Sequence, residues 1–172
     1  MMMDRLEMVR EKVDRIIGDL AEDADRKFAY IHLYGVSQSA TFLALTHRVN
    51  SELCAIAAML HDIAIYALNV GHRNHAQKSA ETAQSILTEM NCFDEKEIAT
   101  IVYAIAHHSD KLIRDDDIYA EILKDADVLE RYFYHPDHEL EEQAGVRLYY
   151  LLEALNQKRQ CLKQENKGMG KR

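Results

Sequence analysis

The chain has 172 residues, with 21 Lys+Arg against 29 Asp+Glu and a formal net charge of −8. That length fits one domain with a sizeable core, and 48% apolar with 29% charged residues is a globular composition. The acidic balance argues against general nucleic-acid binding, no apolar run approaches the ~20 residues of a membrane span, and Met1-Met2-Met3-Asp4-Arg5 lacks the apolar core of a secretory signal.

One proline and six glycines leave little turn chemistry for strands, whereas apolar residues recur at helical spacing. Leu6, Val9, Val13, Ile16 and Leu20 predict a first amphipathic helix that ends near residues 21–25. A second carries Phe28, Ile31, Val36, Ala40, Leu43 and Ala44. The third, from about Ser51 to Leu68, is apolar almost all round and reads as the buried central helix. Asn69–Asn74 reads as a loop, and His75–Met90 as a helix. Asp94 and Glu97 form a capping-box pattern for a helix through Ile98, Ile101, Val102 and Ile105. A charged loop, 109–117, precedes a helix from Ile118 to Phe133. The turn His135-Pro136-Asp137 separates this from a last helix over Glu139–Leu155, whose Tyr149-Tyr150-Leu151-Leu152 offers a dimer surface. The expectation is one all-α domain of about seven helices over residues 1–160, with a polar, frayed tail at 161–172. Cys54, Cys92 and Cys161 lie far apart without a paired motif, which predicts reduced thiols in a cytoplasm.

The unusual count is nine histidines. His32 lies one helical turn from Phe28 and from Val36, on their inward stripe. His61-Asp62 ends the most apolar run in the chain. His108 follows Ile105 and Ile101 on the core face, with His107 pointing further outward. Asp125 and Asp127 sit inside the apolar segment 122–129. A lone inward histidine is most often a hydrogen-bonded core residue, and a lone buried aspartate a cap or ion-pair partner. Several aimed at one core are costly to desolvate separately, and a shared divalent cation offsets that cost. Nitrogen and oxygen donors without thiolates suit Mn, Fe, Co, Ni, Zn or, less well, Mg.

The order His32, His61-Asp62, Asp127 on successive helices resembles the HD superfamily of metal-dependent phosphohydrolases. The opening stretch is His32-Leu33-Tyr34-Gly35-Val36, the central motif Leu60-His61-Asp62-Ile63, and the closing pair Ala126-Asp127. A two-metal subset adds histidines that resemble His75 in His75-Ala76-Gln77-Lys78-Ser79-Ala80 and His108 in the segment 104–109, where the following Ser109 selects His108 over His107. The similarity spans residues 28–132. It implies a first divalent ion on His32, His61, Asp62 and Asp127, and a second on His75 and His108 with Asp62 bridging. It assigns catalytic roles to Asp62 and His108, and it implies hydrolysis of a phosphorylated small molecule, a nucleotide favoured, by activated water. No nucleic-acid polymer or membrane partner is implied.

Some positions stay open. Helical phase from Ile118, Ile122 and Leu129 puts Asp125 slightly nearer the apolar face, while the family pattern selects Asp127. His72 is an alternative to His75. Many relatives place a lysine just after the His-Asp motif, where this chain has Ala64-Ile65. Lys78 and Arg73 are substitutes for that phosphate contact, or plain surface cations, and His107 is a further substrate-contact candidate. His47, His135 and His138 read as surface residues, and Tyr30, Tyr34, Tyr103 and Tyr119 as packing. Two other functions fit the ligand order: a mixed-valence di-iron oxygenase of the inositol-oxygenase-like branch, and a non-catalytic nucleotide-binding module.

Overall fold

The computed structural model describes residues 4–169, with side chains described up to residue 157 apart from that of His72. The His72 alternative and the Cys161 thiol therefore lie outside the described residues. Eight α-helices and one 3-10 turn make up the described fold: α1 (Arg5–Gly18), α2 (Asp23–His47), α3 (Ser51–Leu60), α4 (Ile63–Leu68), the turn His72–Asn74, α5 (His75–Met90), α6 (Glu95–His107), α7 (Ile118–Tyr134) and α8 (Glu142–Met169). No strand occurs among the described residues. The fold is all-α, as the apolar periodicity predicts.

The expected central helix is two helices. Asn50 caps α3 by accepting from the Glu52 and Leu53 amides, and its whole Leu53–Leu60 run is buried. The chain leaves helical geometry at Asp62 (φ −111°, ψ 14°) before α4 restarts at Ile63. That interruption turns His61 and Asp62 out of the repeating pattern and into the interior. By length and hydropathy Ser51–Leu68 would suffice for a membrane crossing, which corrects the expectation that no run comes near; yet 67% of it is buried inside the protein. Such burial is what a core helix of a folded domain shows.

Around α3 pack α2, α6, α1, α7 and α5. Arg5 ties the start of α1 to Glu52 of α3 at 2.5 Å and to Glu97 of α6 at 2.8 Å. The capping box at Asp94 and Glu97 is formed. The last helix runs well beyond Leu155, where its apolar pattern stops. Tyr149 and Tyr150 on it are exposed, and Arg114 stacks over the Tyr150 ring at 3.8 Å. Cys54 is buried and Cys92 half-buried, both free thiols, and burial pushes the Cys54 thiol up to about 12.

Candidate metal centre

Five helix ends and faces deliver donors to one point. α2 contributes His32, the α3–α4 break contributes His61 and Asp62, α5 opens with His75, α6 ends at His108, and α7 carries Asp127. His32, His61, Asp62, His108 and Asp127 are all buried, and His75 is half-buried. Donor atoms of His32, His61 and Asp127 lie within 4.8 Å of one another, as do those of His61, Asp62 and His108.

The outer nitrogens of the imidazoles are tied down. The His61 Nδ1–H donates to the Ala58 carbonyl at 2.7 Å, and the His108 Nδ1–H to the Ile105 carbonyl at 2.7 Å. Each is the carbonyl one turn back, so the helix end itself sets the ring. His32 Nδ1–H donates to Glu130 Oε2 at 2.7 Å. With Nδ1 protonated, Nε2 presents its lone pair inward. Those inward nitrogens then crowd each other: His32 and His61 Nε2 lie 3.2 Å apart, and His75 and His108 Nε2 lie 2.9 Å apart.

Asp62 divides its carboxylate between the two pairs. Its Oδ2 is 3.5 Å from His32 Nε2 and 3.5 Å from His61 Nε2. Its Oδ1 is 3.2 Å from His75 Nε2 and 3.4 Å from His108 Nε2. Yet Oδ1 is buried without a well-formed hydrogen bond, an arrangement that would cost about 1–3 kcal/mol were nothing to satisfy it. Converging imidazole nitrogens and a shared carboxylate with an unsatisfied oxygen could hold a divalent metal ion, and the residues present fit such a group.

Titration behaviour points the same way. Burial lowers the His61 imidazole to about 3, so it is a neutral donor. Burial also opposes charge on His32, but Asp62, Glu130 and Asp127 overcome it and raise that imidazole to about 9. Burial would raise the Asp62 carboxyl, and the surrounding imidazoles instead hold it well below the carboxylate range.

Three residues at this centre are not singled out by sequence reasoning. Glu130, one turn beyond the Asp127 position, fixes His32. Gly35 gives it room: a Cβ there would sit 2.7 Å from Glu130 Cγ. Lys111, in the charged loop, reaches in with Nζ 2.6 Å from Asp127 Oδ2, its side chain 12% exposed. Arg131 adds a contact from Nε to Asp127 Oδ1 at 3.2 Å. No periodicity marks these positions, because each lies in a charge-rich stretch that reads as solvated.

The proposed substitutes for the absent lysine are elsewhere. Lys78 is exposed and pairs with Glu81 at 2.8 Å, and Arg73 is exposed. His107 turns away from the centre, stacking on Tyr103 at 4.0 Å and bonding Asp116 through Nδ1 at 3.3 Å. Asp125 likewise points elsewhere: it accepts from Arg147 at 2.7 Å. His47 is exposed at the end of α2. His135 and His138 are exposed too, but they line a cavity of about 580 Å³ that opens onto His32 and Asp62.

Behind the loop lies a second charged cluster. Arg147 of α8, 3% exposed, bonds Glu121 at 2.9 Å and Asp125 at 2.7 Å, and it also donates to the carbonyls of Lys111 and Ile113. Lys124, fully buried, meets Asp116 at 2.9 Å and Glu121 at 3.0 Å. This clamp holds the loop that carries Lys111.

A bundle that buries paired histidines around a His-Asp turn defines a helical, metal-binding class of domain. The HD domain family model matches residues 29–132, more than half of the chain, and the protein belongs to the HD domain family. In fold it is similar to a crystal structure described as a predicted HD superfamily hydrolase from an uncultured Thermotogales bacterium. The TM-score is 0.57 at 24% sequence identity, covering 90% of this chain and 97% of that one. The comparison with curated protein sequences returns no match. Family membership together with the His/Asp cluster supports a metal-dependent hydrolase.

Proposed function

We propose that this protein is a phosphohydrolase that uses two divalent transition-metal ions to cleave a phosphate ester or anhydride of a small molecule, with nucleotides as the first candidates. The observation that carries this reading is the division of the Asp62 oxygens between two pairs of imidazole nitrogens. His32, His61, Asp62 and Asp127 would hold one ion, and Asp62, His75 and His108 the other. Bound there, such ions supply Lewis acidity toward a phosphoryl oxygen and acidify water at neutral pH.

The chain's own residues supply the rest. The Ala58 and Ile105 carbonyls and Glu130 keep the imidazoles oriented before any ligand arrives, which is the preorganisation that outer partners give a metal site. Lys111 occupies the outer oxygen of Asp127 and leaves Oδ1 facing His32 Nε2, 3.6 Å away. Arg131 lines the cavity and offers a permanent cation to a phosphoryl group.

Metal analysis of the purified protein, with a phosphate-release screen over nucleotides and sugar phosphates, tests the proposal. The expected result is about two ions per chain and metal-dependent phosphate release. Iron accompanied by oxygen consumption and no phosphate would assign the chain to the oxygenase branch instead. Bound nucleotide with neither activity would make it a binding module.

A further inference from the structure

The cavity at the metal centre has a wall chemistry that discriminates among phosphorylated molecules. On one side stand the rings of Phe28, Tyr66 and Tyr134. Phe28 is 51% exposed. It lies parallel to His32, with centroids 5.7 Å apart and planes 7° apart, and Tyr134 braces it edge-on at 6.4 Å. An exposed, held aromatic face beside a reacting centre is a surface for stacking a planar ring.

The rim is acidic. Asp25, Glu139 and Glu141 line the cavity and are exposed, and none of the three forms an ion pair among the described residues. The Glu130 carboxylate is taken by His32. Against these, the lining contributed by the described residues holds no lysine, and Arg131 is its one permanent cation, already engaged with Asp127. His135 and His138 complete the rim. Sites that hold polyphosphate chains add a lysine, and backbone amides from a glycine-rich loop, for the phosphates beyond the first. No glycine among the described residues lines this cavity. A second or third phosphoryl group would extend from the metal centre toward carboxylates.

Resting on the phosphohydrolase reading, we infer that this site takes a phosphomonoester of a planar aromatic or heteroaromatic group, stacked on Phe28, and rejects di- and triphosphate chains. The single phosphoryl group sits at the metal centre beside Arg131. The acidic rim supplies the selection against further negative charge.

Calorimetric titration of the full-length, Mn2+-loaded protein separates the possibilities. The probes are phenylphosphonate, methylphosphonate and inorganic tripolyphosphate, at pH 8, above the ordinary imidazole range near 6.5. Phenylphosphonate should bind at least tenfold more tightly than methylphosphonate, and Phe28→Ala should erase that difference. The triple variant D25N/E139Q/E141Q should raise tripolyphosphate affinity tenfold or more relative to the unaltered protein in the same buffer, a comparison in which chelation of free metal cancels. Equal binding of the two phosphonates, an unchanged tripolyphosphate affinity, or no binding of any probe would overturn the inference. Phosphate release from phenyl phosphate is followed in parallel. If the binding pattern holds and no phosphate appears with any metal, the hydrolase reading falls and the assigned ligand class stands.

Discussion

The molecule contains two buried polar clusters that differ in one respect. In the clamp of Arg147 and Lys124, every carboxylate has a cation beside it: Glu121 meets both, Asp125 meets Arg147, and Asp116 meets Lys124. Around Asp62, imidazole nitrogens face one another and a carboxylate oxygen is left without a hydrogen bond. The first cluster leaves no carboxylate without a cation, two cations serving three acids, and so can be structural. The second calls for positive charge from outside the chain. A buried polar cluster therefore signals chemistry when its lone pairs are left unmatched, more than when it is merely rich in ionisable groups. Asp127 belongs to both worlds, with its outer oxygen on Lys111 and its inner oxygen near His32.

The sharpest way to break the comparison is Asp62→Ala. It removes the one carboxylate that both imidazole pairs share, so both ions and turnover should be lost, by at least about a hundredfold, while circular dichroism stays helical. Full metal occupancy in this variant would disprove the shared role. Next comes the clamp: Arg147→Ala leaves Asp125 without its cation and Glu121 with Lys124 alone, and should cost roughly 3 kcal/mol, seen as a lower unfolding midpoint in denaturant, with metal stoichiometry retained. Loss of metal without loss of stability would reverse the two clusters' roles. At the junction, Lys111→Met should weaken metal affinity about tenfold, and Lys111→Arg should restore much of it because the cation on the outer oxygen returns. His108→Ala should retain roughly one ion per chain where the unaltered protein holds two, whereas His107→Ala should change metal content little.

The smallest effect is in pH. The Asp116 carboxyl is pushed up by burial but held below its ordinary range by Tyr103 and Lys124. Burial likewise works against Glu121, and Arg147 and Lys124 prevail. Folded-state values below the unfolded ones of about 3.9 and 4.3 mean stabilisation that is present above those values and lost as pH falls below them. Asp125, raised by burial, offsets part of this. Metal-free protein should therefore lose stability progressively as pH falls below about 4, more steeply than Arg147→Ala does. Parallel profiles would remove the clamp from the account.

Much of this was legible in the chain, for identifiable reasons. His32, His61, Asp62, His108 and Asp127 converge with His75, and the first five sit on an apolar stripe or directly after one, a phase that is local information; His75 follows a loop and is carried by the resemblance alone. The break at Asp62 was not legible, since the apolar run Leu53–Leu60 continues through Ile63 and Ala64 without punctuation. Lys111, Lys124, Arg131 and Arg147 were invisible for a different reason. A charged side chain reads as solvated in the sequence, and only the packing of α8 and the loop against α7 reveals that Lys111, Lys124 and Arg147 are withdrawn from water. The choice between Asp125 and Asp127 shows the limit of a helical wheel: both are inward, and Arg147, distant in sequence, captures the first.

Gly35 carries a last consequence. A glycine inside a helix ordinarily gives up about 0.5–1 kcal/mol relative to alanine, so replacing it is a routine step in thermostabilisation. Here the missing methyl is the clearance through which Glu130 reaches His32. An engineer who makes the swap would be tightening α2 while displacing the carboxylate that aims a metal-facing imidazole. Directed evolution of this scaffold for heat tolerance should accept Gly35→Ala only alongside a shorter acid at 130, and the frequency of that double change among survivors would measure how tightly backbone economy and ion capture are coupled in this bundle.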